Sequence, residues 1–203
     1  MRLIAALILA ALSFAIASAG AAETYEALLA RAKSGDPTLD YRALRDAYAA
    51  SPHYQPYGGD TDDARTTMIK SFNAQDCATA LPAADKVLDA IYITAHLVNG
   101  RCFEMAGDNP KADFHRAIAH GLMDSIVASG DGKTEKTAFL VVTINEEYDV
   151  LSALRWRLVG QALINDDGHA FDKMEVKSAT SAETATLYFQ IDRPMAWLSH
   201  SLQ

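Results

Sequence analysis

Ser129-Gly130-Asp131-Gly132-Lys133-Thr134 divides this chain into two kinds of sequence, and what flanks it decides the fold. Two glycines and an Asp in six residues make a turn or short linker. Upstream, apolar residues recur at helical spacing. Downstream comes Ala138-Phe139-Leu140-Val141-Val142-Thr143-Ile144, a β-branched and aromatic run that reads as a buried strand. The expected class is therefore α+β: antiparallel helix pairs followed by a small, mainly antiparallel sheet with covering helices.

The helical part starts at Thr24, a good N-cap, and Gly35-Asp36-Pro37 stops the first helix. Leu39 to Ala50 makes the second. Ser51 to Asp60 holds two prolines and two glycines and reads as a loop in which Tyr54 and Tyr57 pack locally. Thr61-Asp62-Asp63 can cap a third helix. Asp76 can cap a fourth, with Ala80, Ala84, Val87, Leu88 and Ile91 on its apolar side. A fifth spans about Thr94 to Ala106, and Pro110 suits the first turn of a sixth that ends before Ser129. Gly100, Phe103, Gly107, Ala112 and Ala119 stand at the spacing of one tetratricopeptide unit, whose small residues let paired helices approach closely. The expectation is a tetratricopeptide-like region over residues 20–129.

Residues 130–203 read as an α+β region packed on those helices. After the first strand, Asn145 is placed to cap a helix over Glu146 to Arg155, with Tyr148, Leu151 and Leu154 inward. Leu158 to Ile164 is a strand, Asn165-Asp166-Asp167-Gly168 a hairpin signal, and Ala170 to Lys177 and Ala185 to Ile191 two more strands. Pro194 opens a closing helix.

These pieces bear a resemblance. Gly130-Asp131-Gly132-Lys133-Thr134 with Thr137-Ala138-Phe139, then Glu146-Glu147-Tyr148-Asp149-Val150-Leu151, then Leu187-Tyr188-Phe189-Gln190-Ile191-Asp192-Arg193-Pro194, resemble a bacterial family known only as domain of unknown function 4919. The similarity reaches back to Tyr54-Gln55-Pro56-Tyr57. It implies an exported protein with a helical front and a small β part, and no activity.

The N-terminus carries its own reading. Arg2 precedes an apolar run from Leu3 to Ala17, and Ala17-Ser18-Ala19 offers the small-x-small pattern of signal peptidase. The expected cut follows Ala19, with Ala22 the alternative, and the expected location is the periplasm or the exterior. No stable membrane anchor is expected after cleavage. The net charge of −8, from which Arg2 would also be removed, repels phosphate backbones, so nucleic acid is a poor partner. At 50% hydrophobic and 22% charged residues the composition is that of a folded globule.

Several chemical motifs fail their spacing tests. Gly132-Lys133-Thr134 ends like a phosphate loop, but Val127 stands where that loop needs glycine, and a strand follows where a helix is required. His53, His96, His115, His120, His169 and His200 contain no i, i+4 pair, and no Cys-x-x-Cys occurs, so neither a metal nor another cofactor is expected. No Gly-x-Ser-x-Gly elbow is present. The midpoint between Cys77 and Cys102 falls close to the turn expected over Asp89 to Ile93. On antiparallel helices they stand level, as a disulfide in an oxidising compartment or as two buried thiols.

Glu146, Glu147 and Asp149 read first as a charged face favoured by the helix dipole, and second as paired carboxylates for acid–base work. The functional expectation is a non-catalytic module that binds a protein or peptide of the cell envelope. Candidate contact residues are Tyr54, Tyr57, Asp131, Glu146, Tyr148 and Asp149, and no catalytic residue is assigned. The alternatives are an envelope hydrolase working at Asp131, Glu146 and Asp149, or a small-ligand binder using Tyr54, Tyr57 and Trp156.

Export is checked directly by intact mass. Protein recovered from the periplasm of an expressing bacterium is expected to lack residues 1–19, and intact Met1 on cytosolic protein would refute the cleavage.

Overall fold

The computed structural model describes residues 23–59, 62–87 and 91–202. The expected signal peptide, both cleavage positions, Thr61 and Leu88 to Ala90 lie outside the described residues.

Six helices come first: α1 (Tyr25–Lys33), α2 (Tyr41–Ala49), α3 (Asp62–Asn73), α4 (Cys77–Asp85), α5 (Ile93–Met105) and α6 (Asn109–Val127). Then follow β1 (Phe139–Leu140), α7 (Ile144–Ala153), β2 (Trp156–Asp166), β3 (His169–Ser178), β4 (Thr184–Gln190) and α8 (Asp192–Ser201). Local chemistry sets most boundaries. The Thr24 hydroxyl accepts from the Ala27 amide, Asp40 caps α2, Asp76 caps α4 through the Thr79 amide, and Asp108 caps α6 just before Asn109-Pro110.

Helices α3/α4 and α5/α6 are antiparallel pairs. α5 packs on both α3 and α4, α7 on both α5 and α6, and α1/α2 attaches through α2 to α6. At the α5–α6 interface Ala112 and Ala119 are buried, and a Cβ on Gly100 would lie 3.4 Å from the Ala112 carbonyl. The Cys77–Cys102 disulfide joins α4 to α5 beside Met68, Ala80, Ala84, Ala95 and Val98. Closing a loop of that separation contributes about 3 kcal/mol.

The sheet is mixed, in the order β1-β4-β3-β2, with β1–β4 parallel and the other two pairs antiparallel. Asp167 and Gly168 both take positive φ, as a two-residue type I′ hairpin requires. On β3, Asp172, Met174 and Val176 share the buried face with Leu187 and Phe189 of β4. One apolar core runs from Leu44 and Tyr48 through Leu122 and Ile126 to Phe139, Val150, Leu151, Met174 and Phe189, so helices and sheet bury one another.

Several expectations need correction. The strand expected over 138–144 shrinks to Phe139–Leu140. Val141 adds one last bond to the Gln190 carbonyl, and from buried Val142 the chain turns into α7, the Ile144 amide bonding to the Pro56 carbonyl. Thr143, not Asn145, occupies the N-cap of α7, while the Asn145 amide oxygen accepts from Arg65. Tyr148 and Leu154 face solvent, and Glu146, Glu147, Val150 and Leu151 face inward. α4 ends at Asp85, well short of Ile91.

The turn at Gly130 is a packing device. A Cβ there would collide with the Thr137 and Ala138 carbonyls, and one on Gly132 with the Phe139 ring. Gly132 accepts from the Tyr188 amide and donates to Thr137, which ties the turn to β4. That is why glycines flank Asp131.

The two halves are also joined by charge. Arg45 of α2 meets Glu146 of α7 in a two-pronged ion pair with both bonds at 2.8 Å, buried on both sides. Arg45→Met would strand the Glu146 charge and is expected to cost about 3–5 kcal/mol in urea unfolding, most of it recovered by adding Glu146→Leu. A loss under about 1 kcal/mol would mean that the pair does not hold the halves together.

Candidate functional site

The first turn of α7 sends two neighbouring glutamates in different directions. Glu146 enters the helical side, where three donors converge on its carboxylate. Besides the two Arg45 bonds, the Val142 amide donates to Oε2 at 2.7 Å. Arg45 in turn donates to the Leu140 carbonyl at 2.7 Å and to Ser125 at 3.3 Å. Glu146 is a structural anchor, buried and paired with Arg45.

Glu147 enters the other side, against Asp172 of β3. It is wholly buried, and no N–H or O–H of a neighbouring residue reaches either of its carboxyl oxygens. Burial, reinforced by the Asp172 charge, pushes its carboxyl up to about 9. Asp172 is raised as well, by burial, against the Gln161 side chain that donates to its Oδ2 at 2.8 Å. The two acids therefore share a proton at neutral pH: Glu147 holds it, and Asp172, steadied by Gln161, carries the charge.

A line of polar groups leads outward from this pair. Gln161 lies exposed on β2, and the Tyr148 hydroxyl donates to its Oε1 at 3.5 Å. Tyr148 is 46% exposed. Burial and the nearby acids raise both the Tyr148 and the Tyr57 hydroxyls, so Tyr57 belongs to the same neighbourhood. Its ring also packs against Trp197 of α8, with centroids 5.9 Å apart.

The other expected site residues lie elsewhere. Asp149 accepts from the Thr94 hydroxyl at 2.5 Å, and burial pushes it up to about 6 against that bond. Asp131 is an exposed turn residue bonded to the Lys133 amide and ammonium, its carboxyl held down at about 2 by Thr137 and Lys133. Tyr54 is buried and donates to the Val142 carbonyl at 2.7 Å, a contact between the halves and more than local packing. Of the expected contact residues, only Tyr57 and Tyr148 stand beside the Glu147–Asp172 pair.

Asp172 and Gln161 were not singled out in the sequence, yet one signal was there. Along Ala170, Asp172, Met174 and Val176, the acid occupies an apolar position of an alternating strand. Likewise Glu147 precedes Val150 and Leu151 on one helical stripe. Among the described residues, no group of three or more His, Cys, Asp or Glu is placed to hold a metal ion.

The buried acid leaves a thermodynamic signature. The folded state holds a proton on Glu147 from its ordinary value of 4.5 up to about 9, a range in which the unfolded chain has released it. Stability is therefore greatest at the acid end of that window and falls by roughly 1.4 kcal/mol per pH unit as pH rises. The upward shifts of Asp149 and Asp172 act in the same direction. Urea unfolding at pH 5 and pH 8 is expected to show this loss, and Glu147→Gln to flatten it and to exceed the parent at pH 8. An unchanged slope in the variant would place the titration elsewhere.

The chain matches no curated protein and no solved structure. A family model described as "Domain of unknown function (DUF4919)" matches residues 12–200. With nearly its whole length covered, including α7, β2 and β3 and so the paired acids, the chain belongs to this family.

Proposed function

We propose that this protein is an exported, non-catalytic binding module of the cell envelope, and that it takes an extended protein or peptide segment along β2. The observation that carries the reading is the free edge of the sheet. β2 has eleven residues and, among the described residues, pairs with β3 alone. Its outer side offers unpaired backbone groups, the template that strand addition uses. Val159 and Leu163 on it are 66% and 53% exposed, and Leu158 and Tyr148 add apolar surface nearby. A bulge at Val159 bends the start of this edge, and Gly160 to Asp166 keep a regular register beyond it.

The rest of the molecule is consistent with a rigid support. The pairs α3/α4 and α5/α6, with α7 as the next helix in the stack, have the neighbour pattern of tetratricopeptide hairpins. The apolar leader and the disulfide both favour life outside the cytoplasm. A hydrolytic site shared by Asp131 and Glu146 has less in its favour, because Glu146 is saturated by Arg45 and Val142 and Asp131 is held in a turn.

Selection of peptides from a displayed library on the mature protein, followed by amide hydrogen exchange, tests the reading. Bound peptides are expected to slow exchange across residues 156–166, and Leu163→Glu is expected to abolish both binding and protection. Protection confined to the helices, or no peptide selected at all, would refute it.

A further inference from the structure

Resting on that reading, we propose that the segment taken by β2 presents a basic side chain, which passes over Gln161 and is bound between Glu147 and Asp172. Three independent observations lead there.

The first is an unmet need. Other buried acids in this region have donors: Glu146 has Arg45 and the Val142 amide, and Asp149 has Thr94. Glu147, wholly buried, receives no N–H at either oxygen, and the one proton it shares with Asp172 leaves its remaining acceptor capacity unmet. A buried acceptor without a donor costs free energy and calls for an explanation. A cationic donor arriving with a ligand supplies one.

The second is reach. Gln161 pairs across the ladder with Met174, and Leu163 with Asp172, so Gln161, Leu163 and Asp172 share one face of the sheet. A strand added outside β2 would run ~4.8 Å from it, hence about 10 Å from β3. A lysine on that face, with its four-carbon stem, spans a diagonal of this kind. Gln161 already donates to Asp172 from the same direction. Its amide marks the place for an incoming N–H, and its exposed side chain can swing aside.

The third is charge and surroundings. The chain is acidic overall, at −8, which favours a basic partner. Two partly exposed rings, Tyr57 and Tyr148, lie within electrostatic reach of both acids and suit a cation. Two carboxyls and one amide are too few oxygens for calcium, which takes six or more.

Binding is then coupled to protons. A cation between the two acids favours ionisation of both, so the proton held by Glu147 leaves as the ligand enters. The groups on the Glu147 side are Asp172, with its Gln161 partner, from the sheet, Tyr57 from the loop before α3 and Tyr148 from α7, while Glu146, pointing the other way, acts on it only through its charge. Arg45 on the helical side is committed to Glu146.

Calorimetric titration of the mature protein at pH 8 decides the matter. The probes are a capped β-forming pentapeptide with a central lysine and the same peptide with Nε-acetyl-lysine. The lysine peptide is expected to bind at least about tenfold tighter. Its apparent enthalpy is expected to change with buffer ionisation heat, reporting release of up to about one proton. Glu147→Gln and Asp172→Asn, each checked for folding by thermal melting, are expected to abolish the lysine preference and the proton release while leaving the acetyl-lysine peptide unaffected. Equal binding of both peptides with exchange protection at residues 156–166 would leave the strand-binding reading intact and overturn this inference. A lysine preference that survives both substitutions would overturn it too, and absence of binding by either peptide would remove both.

Discussion

The ion pair between Arg45 and Glu146 is the constraint on which the arrangement depends. A guanidinium and a carboxylate taken out of water are stable only when the remaining donors and acceptors are met. Here Leu140, Val142 and Ser125 meet them, the first two from the end of β1 and the segment between β1 and α7, and the third from α6. The pair therefore fixes α2, α6, the segment after β1 and the start of α7 together. Apolar packing alone, as between Leu122, Ile126 and Val150, would bring these elements together without specifying their rotation.

With Glu146 so held, its neighbour has no choice of direction. Successive helical residues are about 100° apart, so anchoring one acid in the helical side delivers the next to the sheet. Glu147 meets Asp172 there, and two acids that would separate in water must share a proton. The stability sacrificed at that pair is balanced by the apolar core around it and by the disulfide between α4 and α5. Sites that bind are often the places where a fold tolerates such a cost.

The free edge of β2 and the acid pair belong to one region because the sheet order puts β3 immediately inside β2. Reversing that order would bury Asp172 beyond the reach of anything docked at the edge. In the binding mode proposed above, main-chain bonds along β2 would give affinity and the acid pair specificity.

Much of the architecture was legible residue by residue. Thr24, Asp76 and Pro110 announced their helices, Asp167-Gly168 its hairpin, and the even spacing of Cys77 and Cys102 about a turn their bond, because capping, tight turns and antiparallel register are local or nearly so. The family was legible as well, from motifs in order along the chain. What the sequence left open was which faces would be covered. Ala138 to Ile144 carries the composition of a strand but finds a partner for only two residues, and the Glu146 helix has the acids of a solvated face yet buries two of them. Only the tertiary structure chose between these outcomes, since burial depends on what is packed above a residue, and the groups that cover Glu146 and Glu147, namely Arg45 and Asp172, lie 101 positions before and 25 positions after them in the chain.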